Sequence, residues 1–444
     1  MTFSTEINTP VCRPDSGEKF IFPPFLQEIT FNKYSADDLR SLIGIKKLYL
    51  RGAAFVGQGI ASGLKREGID IEGYLDSSPR LKGKILHGKP VYNPAEILGG
   101  ENAANDIFII MTSGYWQDEF VEEFAQYGLK ENIHYISVYD LVPIFPSIDI
   151  SGVCNLRCIG CPRGNMREHP PVGFMKPDTY TLVIDKLLRE IPFLGEVQLY
   201  TWGEPLLNKH IHEIIAINKE RMVLSIISSN LSLPVDMEKF VKSAPDIVRV
   251  SCSGWKDNYE ITHTGAKWEL FYKNLNDLVE MKNKFQKDIE IELYFHRYIH
   301  NTEDFEKVKE LAENLGVTFR PVLASLYPRE NHVKIRLGRE ISSEAKKQLT
   351  LLTPFSIKLL DGSIKKSPDN RCFENRTFSI NWNLNVRVCG VYYMPTVADN
   401  FLEKPLTELV QLVATSETCA MCEKADANFC GKILTAEVFD IKND

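Results

Sequence analysis

The chain has 444 residues, 44% of them apolar and 25% charged, a globular composition that excludes a disordered or collagen-like chain and a length that suggests about three domains. Lys and Arg number 52 against 59 Asp and Glu, a net charge of −7, which speaks against a strongly basic nucleic-acid binder. With no apolar run of about 18 residues, and no basic stretch leading into an apolar one at the start, no membrane partner is expected and the protein is read as cytoplasmic.

Residues 1–40 carry Pro10, Pro14, Pro23 and Pro24 and little periodicity, so they read as a leader. Strands are then expected at Lys47–Leu50, Ile71–Leu75, Asp106–Met111 and Tyr135–Val138, with a glycine-rich turn and helix after the first and a helix near Trp116–Tyr127. This alternation predicts a doubly wound α/β domain over 41–143. Pro143 and Pro146 mark a boundary. A second alternating series puts strands at Pro146–Ser151, Glu196–Thr201, Val223–Ser229, Ile247–Cys252, Ile289–Phe295 and Val317–Val322, with helices between them. Six such units suggest a partial β/α barrel over 144–335, whose chemistry should gather at the C-terminal ends of its strands. Residues 324–371 read as irregular with one helix near Ser342–Leu351. A hairpin is expected at Phe378–Trp382 and Val386–Cys389. The stretch 336–444 forms a third, small, cysteine-rich domain.

Ten cysteines need a role, since disulfides are rare in a reducing compartment and clustered cysteines more often bind metal or do redox chemistry. Cys154, Cys158 and Cys161 are spaced C-x3-C-x2-C on a loop after the first barrel strand. Three thiolates there can ligate three irons of a 4Fe-4S cluster and leave the fourth open, whereas zinc favours C-x2-C pairs and four protein ligands. On this spacing the chain resembles the radical SAM superfamily. The resemblance continues at Thr201-Trp202-Gly203-Glu204-Pro205, which looks like the family's GGE motif. It implies that Gly203 and Glu204 hold the methionine ammonium of S-adenosylmethionine (SAM), an ammonium needing carboxylate and carbonyl acceptors; a helix cap is the other reading of Glu204. Ser229, Ser251 and Ser253, at the ends of the third and fourth barrel strands, are expected to contact the SAM carboxylate or ribose, or to be turn residues. One position departs from the family pattern: Gly160 stands before the third cysteine, where an aromatic residue is usual.

Cys372, Cys389, Cys419 and Cys422, with Cys430 behind them, resemble the auxiliary-cluster domains of SPASM or twitch type. Their number fits one further 4Fe-4S cluster, with zinc as the competitor. Cys252, at the end of the fourth barrel strand, is a candidate hydrogen-atom donor, or a buried small apolar residue. The turn Gly52-Ala-Ala54-Phe-Val-Gly57 with Asp76 resembles a dinucleotide-binding fingerprint. The segment from Tyr74 to Leu98 resembles the Rossmann-like N-terminal domain of nucleotide-sugar acyltransferases, so this domain is expected to dock or to bind a nucleotide sugar. His296, Arg297 and Tyr298 end the fifth barrel strand as further site candidates.

The resemblance implies an enzyme that cleaves SAM reductively to a 5′-deoxyadenosyl radical, with an electron donor such as flavodoxin or ferredoxin as partner. The radical would abstract hydrogen from a sugar, cyclitol or nucleotide-sugar carbon and give oxidation or epimerisation. The alternatives are modification of a ribosomal peptide or protein, and a non-catalytic iron–sulfur electron carrier.

Overall fold

A computed structural model describes residues 29–113, 116–363, 372 and 376–427. Its N-terminal sheet has the order β3-β4-β2-β1-β5-β6, with β1 at Lys47–Arg51, β2 at Gly73–Leu75, β3 at Ile85–Leu86, β4 at Lys89–Tyr92, β5 at Ile107–Met111 and β6 at Tyr135–Ser137. All neighbours are parallel except β3 and β4. β5 is apolar and buried at every residue, as a strand covered on both faces must be. The β3–β4 hairpin is absent from the expected elements. It is short, and its turn is His87-Gly88, both at positive φ, the twist that two-residue hairpins need. Of the expected leader, residues 1–28 lie outside the described residues. Ile29 and Phe31 are buried in the core, and Ser35 caps the helix Ala36–Ile43 through a reciprocal pair with Asp38.

The second sheet has nine strands in the order β12-β11-β10-β9-β8-β7-β13-β14-β15. β7 is Phe145–Asp149, β8 Glu196–Gln198, β9 Leu224–Ser229, β10 Ile247–Ser251, β11 Glu290–Arg297 and β12 Thr318–Leu323. These six run parallel and in chain order, with helices Pro177–Glu190, Ile211–Glu220, Met237–Ser243, Trp268–Lys284 and Phe305–Leu315 as crossovers. β13 (Thr377–Asn381) lies parallel against β7, followed by β14 (Val386–Arg387) and β15 (Thr396–Ala398). The expected C-terminal hairpin therefore extends this sheet. The stretch expected to be irregular with one helix holds Arg329–Arg336, Ser343–Leu349 and Pro354–Asp361. All three are short and closely punctuated by Pro328, Gly338, Pro354 and Gly362, which hides their periodicity. No helix among the described residues is long and apolar enough to cross a membrane.

Alternation assigns the faces of this sheet. Phe295 of β11 packs edge-on against Phe305 of a crossover helix, so Ile291, Leu293 and Phe295 face the helices. Glu290, Glu292, Tyr294 and His296 then face the other way. Register carries the assignment across: Arg249 pairs with Glu292 and Ser251 with Tyr294, so Arg249 and Ser251 share that inner face.

The N-terminal unit docks where the strands of this sheet begin. Its helix Phe55–Arg66 meets the loop before β8 backbone to backbone. A Cβ on Gly63 would lie 2.1 Å from the Phe193 carbonyl oxygen, and one on Gly195 1.7 Å from that of Gly59. Ser62 donates to the Met222 carbonyl (2.6 Å) and Arg66 to that of Leu194 (2.7 Å). One apolar core runs through both units.

Candidate functional site

The loop after β7 carries Cys154, Cys158 and Cys161 and is fastened on every side. Arg157 N–H donates to the Thr264 carbonyl (3.0 Å) and Cys161 N–H to that of Cys158 (3.0 Å). Asn155 donates to the Ser232 carbonyl (2.9 Å). Arg163, buried, donates to the carbonyls of Trp202 (2.9 Å) and Gly152 (2.6 Å). Leu156 N–H reaches Cys154 Sγ at 3.4 Å, and the Asn230 amide lies 3.8 Å from the same sulfur.

Burial raises all three thiols, with Cys161 pushed up to about 12. Cys158 is raised further by both other thiols and Cys161 by Cys154, so the three are electrostatic neighbours. Bare thiolates would be costly here, and bound iron would remove that cost by holding the sulfurs deprotonated. Among the described residues no three His, Cys, Asp or Glu side chains converge tightly enough for one metal ion. A cubane asks for a wider set, because each thiolate binds a different iron. The donor set therefore fits a 4Fe-4S cluster with one open iron.

Glu204 faces this loop from the end of β8 and is 2% exposed. One carboxylate oxygen accepts Asn230 N–H (2.9 Å), the other Leu206 N–H (3.1 Å), and the Ser229 hydroxyl adds a third bond. Burial still raises it from 4.5 to about 7, and no cation is among these partners. Both sequence readings of Glu204 thus have a counterpart: it caps the short turn Pro205–Leu207, and it offers a buried carboxylate suited to an ammonium. Gly203 is dictated by sterics, since a Cβ there would lie 1.5 Å from the Ser151 carbonyl oxygen. Asn230 joins the two loops, with N–H on Glu204 and side chain toward Cys154 and Asn155.

The remaining candidates divide. Ser229 turns toward Glu204 and also accepts Leu231 N–H (3.0 Å). Ser251 is half-buried on the inner face. Ser253 is occupied within the loop after β10: its hydroxyl accepts His296 N–H (3.2 Å) and lies 3.3 Å from His296 Nδ1. Burial lowers His296 to about 4, so its imidazole is neutral. Arg297 falls on the helix-facing side, over the Phe305 ring. Cys252 is fully buried and shares the core with Val248 and Val250. Alternation puts Val248 and Val250 on the helix-facing side, opposite Arg249 and Ser251, and Cys252 follows directly after the strand. Its full burial agrees with the small apolar reading of Cys252. Asp76, the acid of the fingerprint, accepts Ala53 N–H from the glycine-rich turn (2.9 Å) and Ser78 N–H from its own turn (2.8 Å).

Gly160 has a spatial explanation. A Cβ there would lie 2.4 Å from the Tyr298 hydroxyl, so an aromatic ring from the end of β11 fills the volume that a side chain at 160 would take. Asn230, Asp149, Arg163 and Trp202 are not among the residues the sequence singles out for a role; Trp202 lies within the GGE-like motif and Asn230 follows Ser228-Ser229 at a strand end, while Asp149 and Arg163 carry no local signal.

In the C-terminal part, Cys389 and Cys422 are buried together with Val333, Tyr392, Ala425 and Ala427. Cys419 precedes Cys422 on the helix Glu417–Lys424, and its thiol senses that of Cys422. Cys372 is half-buried, but its neighbours 364–371 and 373–375 are not described, and Cys430 lies outside the described residues.

A search of curated proteins gives no match. Among solved structures the chain is similar to BtrN in complex with AdoMet and 2-DOIA, at 14% identity over 67% of this chain and 92% of that one, TM-score 0.37. It is also similar to anSMEcpe with bound AdoMet (13% identity, 64% and 88% covered, TM-score 0.41). A third similar structure is Streptococcus suis SuiB bound to precursor peptide SuiA (14% identity, 66% and 71% covered, TM-score 0.43). The family model of the Radical SAM superfamily matches residues 148–315, the stretch that holds the three-cysteine loop and Glu204, and the chain therefore carries a radical SAM domain.

Proposed function

We propose that the chain is a SAM-cleaving enzyme that oxidises a polar small molecule of the sugar, cyclitol or nucleotide-sugar class. The observation that carries this reading is Asn230, which ties a buried carboxylate without a cation to a loop of three neighbouring thiols. Cys154, Cys158 and Cys161 would hold the first cluster, and Glu204 with the backbone at Gly203 would hold the SAM ammonium. When bound, the first cluster supplies the electron that splits SAM into methionine and a hydrogen-abstracting 5′-deoxyadenosyl radical, and a second on Cys372, Cys389, Cys419 and Cys422 supplies an acceptor for oxidation.

The chain's own part is positioning and exclusion of water. Gln198, Tyr200, Ser228, Ser251 and Tyr294 lie on the inner face and are half-buried. They offer hydroxyl and amide groups to a substrate rich in hydroxyls, whose polar groups need partners once desolvated. Oxidation is favoured over epimerisation because Cys252 is fully buried in the apolar core. The N-terminal unit, docked at the opposite end, serves as a brace.

Anaerobic reconstitution tests the reading. The wild-type chain should hold about eight irons for two clusters and release 5′-deoxyadenosine with dithionite and SAM. Product should be two hydrogens lighter than substrate. Absence of 5′-deoxyadenosine from iron-loaded protein would exclude SAM cleavage, and a mass-matched, deuterated isomer formed in D2O would replace oxidation by epimerisation.

A further inference from the structure

The loop Trp202–Glu204 is held from two sides, and one side belongs to the C-terminal part of the chain. Asp149, the last residue of β7 and 1% exposed, accepts Trp202 N–H on one oxygen and Gly203 N–H on the other, both at 3.3 Å. Its counter-ion is Arg387 of β14, whose Nη2 lies 3.4 Å away, with both side chains 2% exposed. Arg387 also donates to the Ser379 hydroxyl (3.4 Å). Beyond β14, the Tyr392 carbonyl accepts the Trp202 indole N–H (3.2 Å), and Tyr393 meets the same indole edge-on. From the other side, Arg163 holds the Trp202 carbonyl and the Ser151 carbonyl presses on Gly203. The loop is thus trapped between the thiol-bearing loop and the C-terminal hairpin. Tyr392 in turn packs with Cys389 and Cys422.

We propose that Arg387 and Tyr392 are positioning residues through which the C-terminal unit sets the SAM affinity of the loop Trp202–Glu204. This rests on the reading that the loop holds the SAM ammonium. A carboxylate that orients two successive backbone N–H groups fixes the peptide planes leading into Glu204. Removing one partner of a buried ion pair leaves the other charge uncompensated, which is strongly destabilising. Without Arg387, Asp149 is left as an uncompensated buried charge, and turning toward water to relieve it releases the two N–H groups. The coupling is reciprocal: SAM must stabilise the hairpin by as much as the hairpin favours SAM.

The test uses the full-length, iron-loaded chain under anaerobic conditions. Arg387→Met alone leaves a buried unpaired charge and risks misfolding, so it is combined with Asp149→Asn, which removes both charges at nearly constant shape. The double variant should keep wild-type iron content and bind SAM at least about tenfold more weakly, measured by calorimetry. Trp202→Phe, which loses the indole donor to Tyr392 together with some ring contact to Tyr393, should weaken SAM by about threefold. Hydrogen exchange supplies a readout that a purely structural role would not move: SAM should slow exchange over Val386–Tyr393 in the wild type and not in the double variant. Wild-type SAM affinity in the iron-loaded double variant would overturn the proposal while leaving SAM binding intact. A wild-type chain that binds no SAM would overturn the functional reading and this inference with it.

Discussion

Toward the N-terminal ends of the parallel strands, charge is closed on itself. Arg249 Nε lies 3.0 Å and Arg320 Nε 2.7 Å from the two oxygens of Glu292, and Phe55 of the docked helix covers Arg249 with its ring centre 4.6 Å away. At the C-terminal ends of the same strands Asp149 is paired with Arg387 (3.4 Å), but Glu204 is buried against N–H and O–H donors, and three thiols sit beside one another. Interior sites tolerate charge only when it is paired. One end meets that demand within the chain and is sealed by a helix, while the other presents a buried carboxylate and three thiols as donors for a bound cation and metal. The contrast explains why chemistry belongs at the second end of such a sheet, and why the N-terminal unit reads as a brace.

The largest expected effect is at the open end. Replacing Cys154, Cys158 and Cys161 together by Ala should lower bound iron from about eight to about four per chain and abolish release of 5′-deoxyadenosine. Iron that stays at the wild-type value would mean the cluster sits elsewhere. The next effect is at the closed end. Gly63→Val puts a side chain where the Phe193 carbonyl stands, 2.1 Å from the new Cβ. Backbone on both sides cannot yield cheaply, so stability should fall by about 3 kcal/mol or more in denaturant unfolding. A midpoint unchanged from wild type would show that the helix is not clamped to the strand loop.

The two ends also differ in how far the sequence announces them. The six parallel strands and their crossover helices are legible because each strand is a short apolar run between breakers and each helix an apolar stripe. The three-cysteine loop is legible because its spacing is local. What stays hidden is pairing over distance. Arg387 meets Asp149 across 238 residues, and Tyr298 fills the volume above Gly160 from another strand. Nothing in either neighbourhood reports the partner. The face of Cys252 is different: alternation with Val248 and Val250 was present in the sequence, yet only Phe295 against Phe305 says which face the helices cover.

A smaller effect, and one with a pH signature, concerns Glu196 at the closed end. It is buried against Gly59, one oxygen has no hydrogen-bond partner, and burial raises it from 4.5 to about 8. Between those values the folded chain holds a proton that the unfolded chain has lost. Stability therefore falls as pH rises through that window and levels off above it. Glu196→Gln keeps the shape and removes the titration, so at pH 8.5 or so the variant should be more stable by about 2 kcal/mol. The gain should vanish near pH 4.5. Equal stability of both proteins at the alkaline end would mean that Arg249 compensates the carboxylate fully.

The smallest expected effect tests the faces themselves. Cys252 shares a core with Val248 and Val250 and contacts the Gly254 carbonyl at 3.5 Å. If that side is the helix-facing one, Cys252→Ala removes one sulfur from a packed core. Stability should drop by about 1 kcal/mol, and SAM cleavage, substrate turnover and the mass of the product should stay as they are. A hydrogen-atom donor would behave otherwise: its loss would stop product formation while 5′-deoxyadenosine still formed with substrate. Loss of turnover in a Cys252→Ala protein that is folded and iron-loaded would therefore place the thiol on the open side, and would reverse the assignment of inner and outer faces along β10.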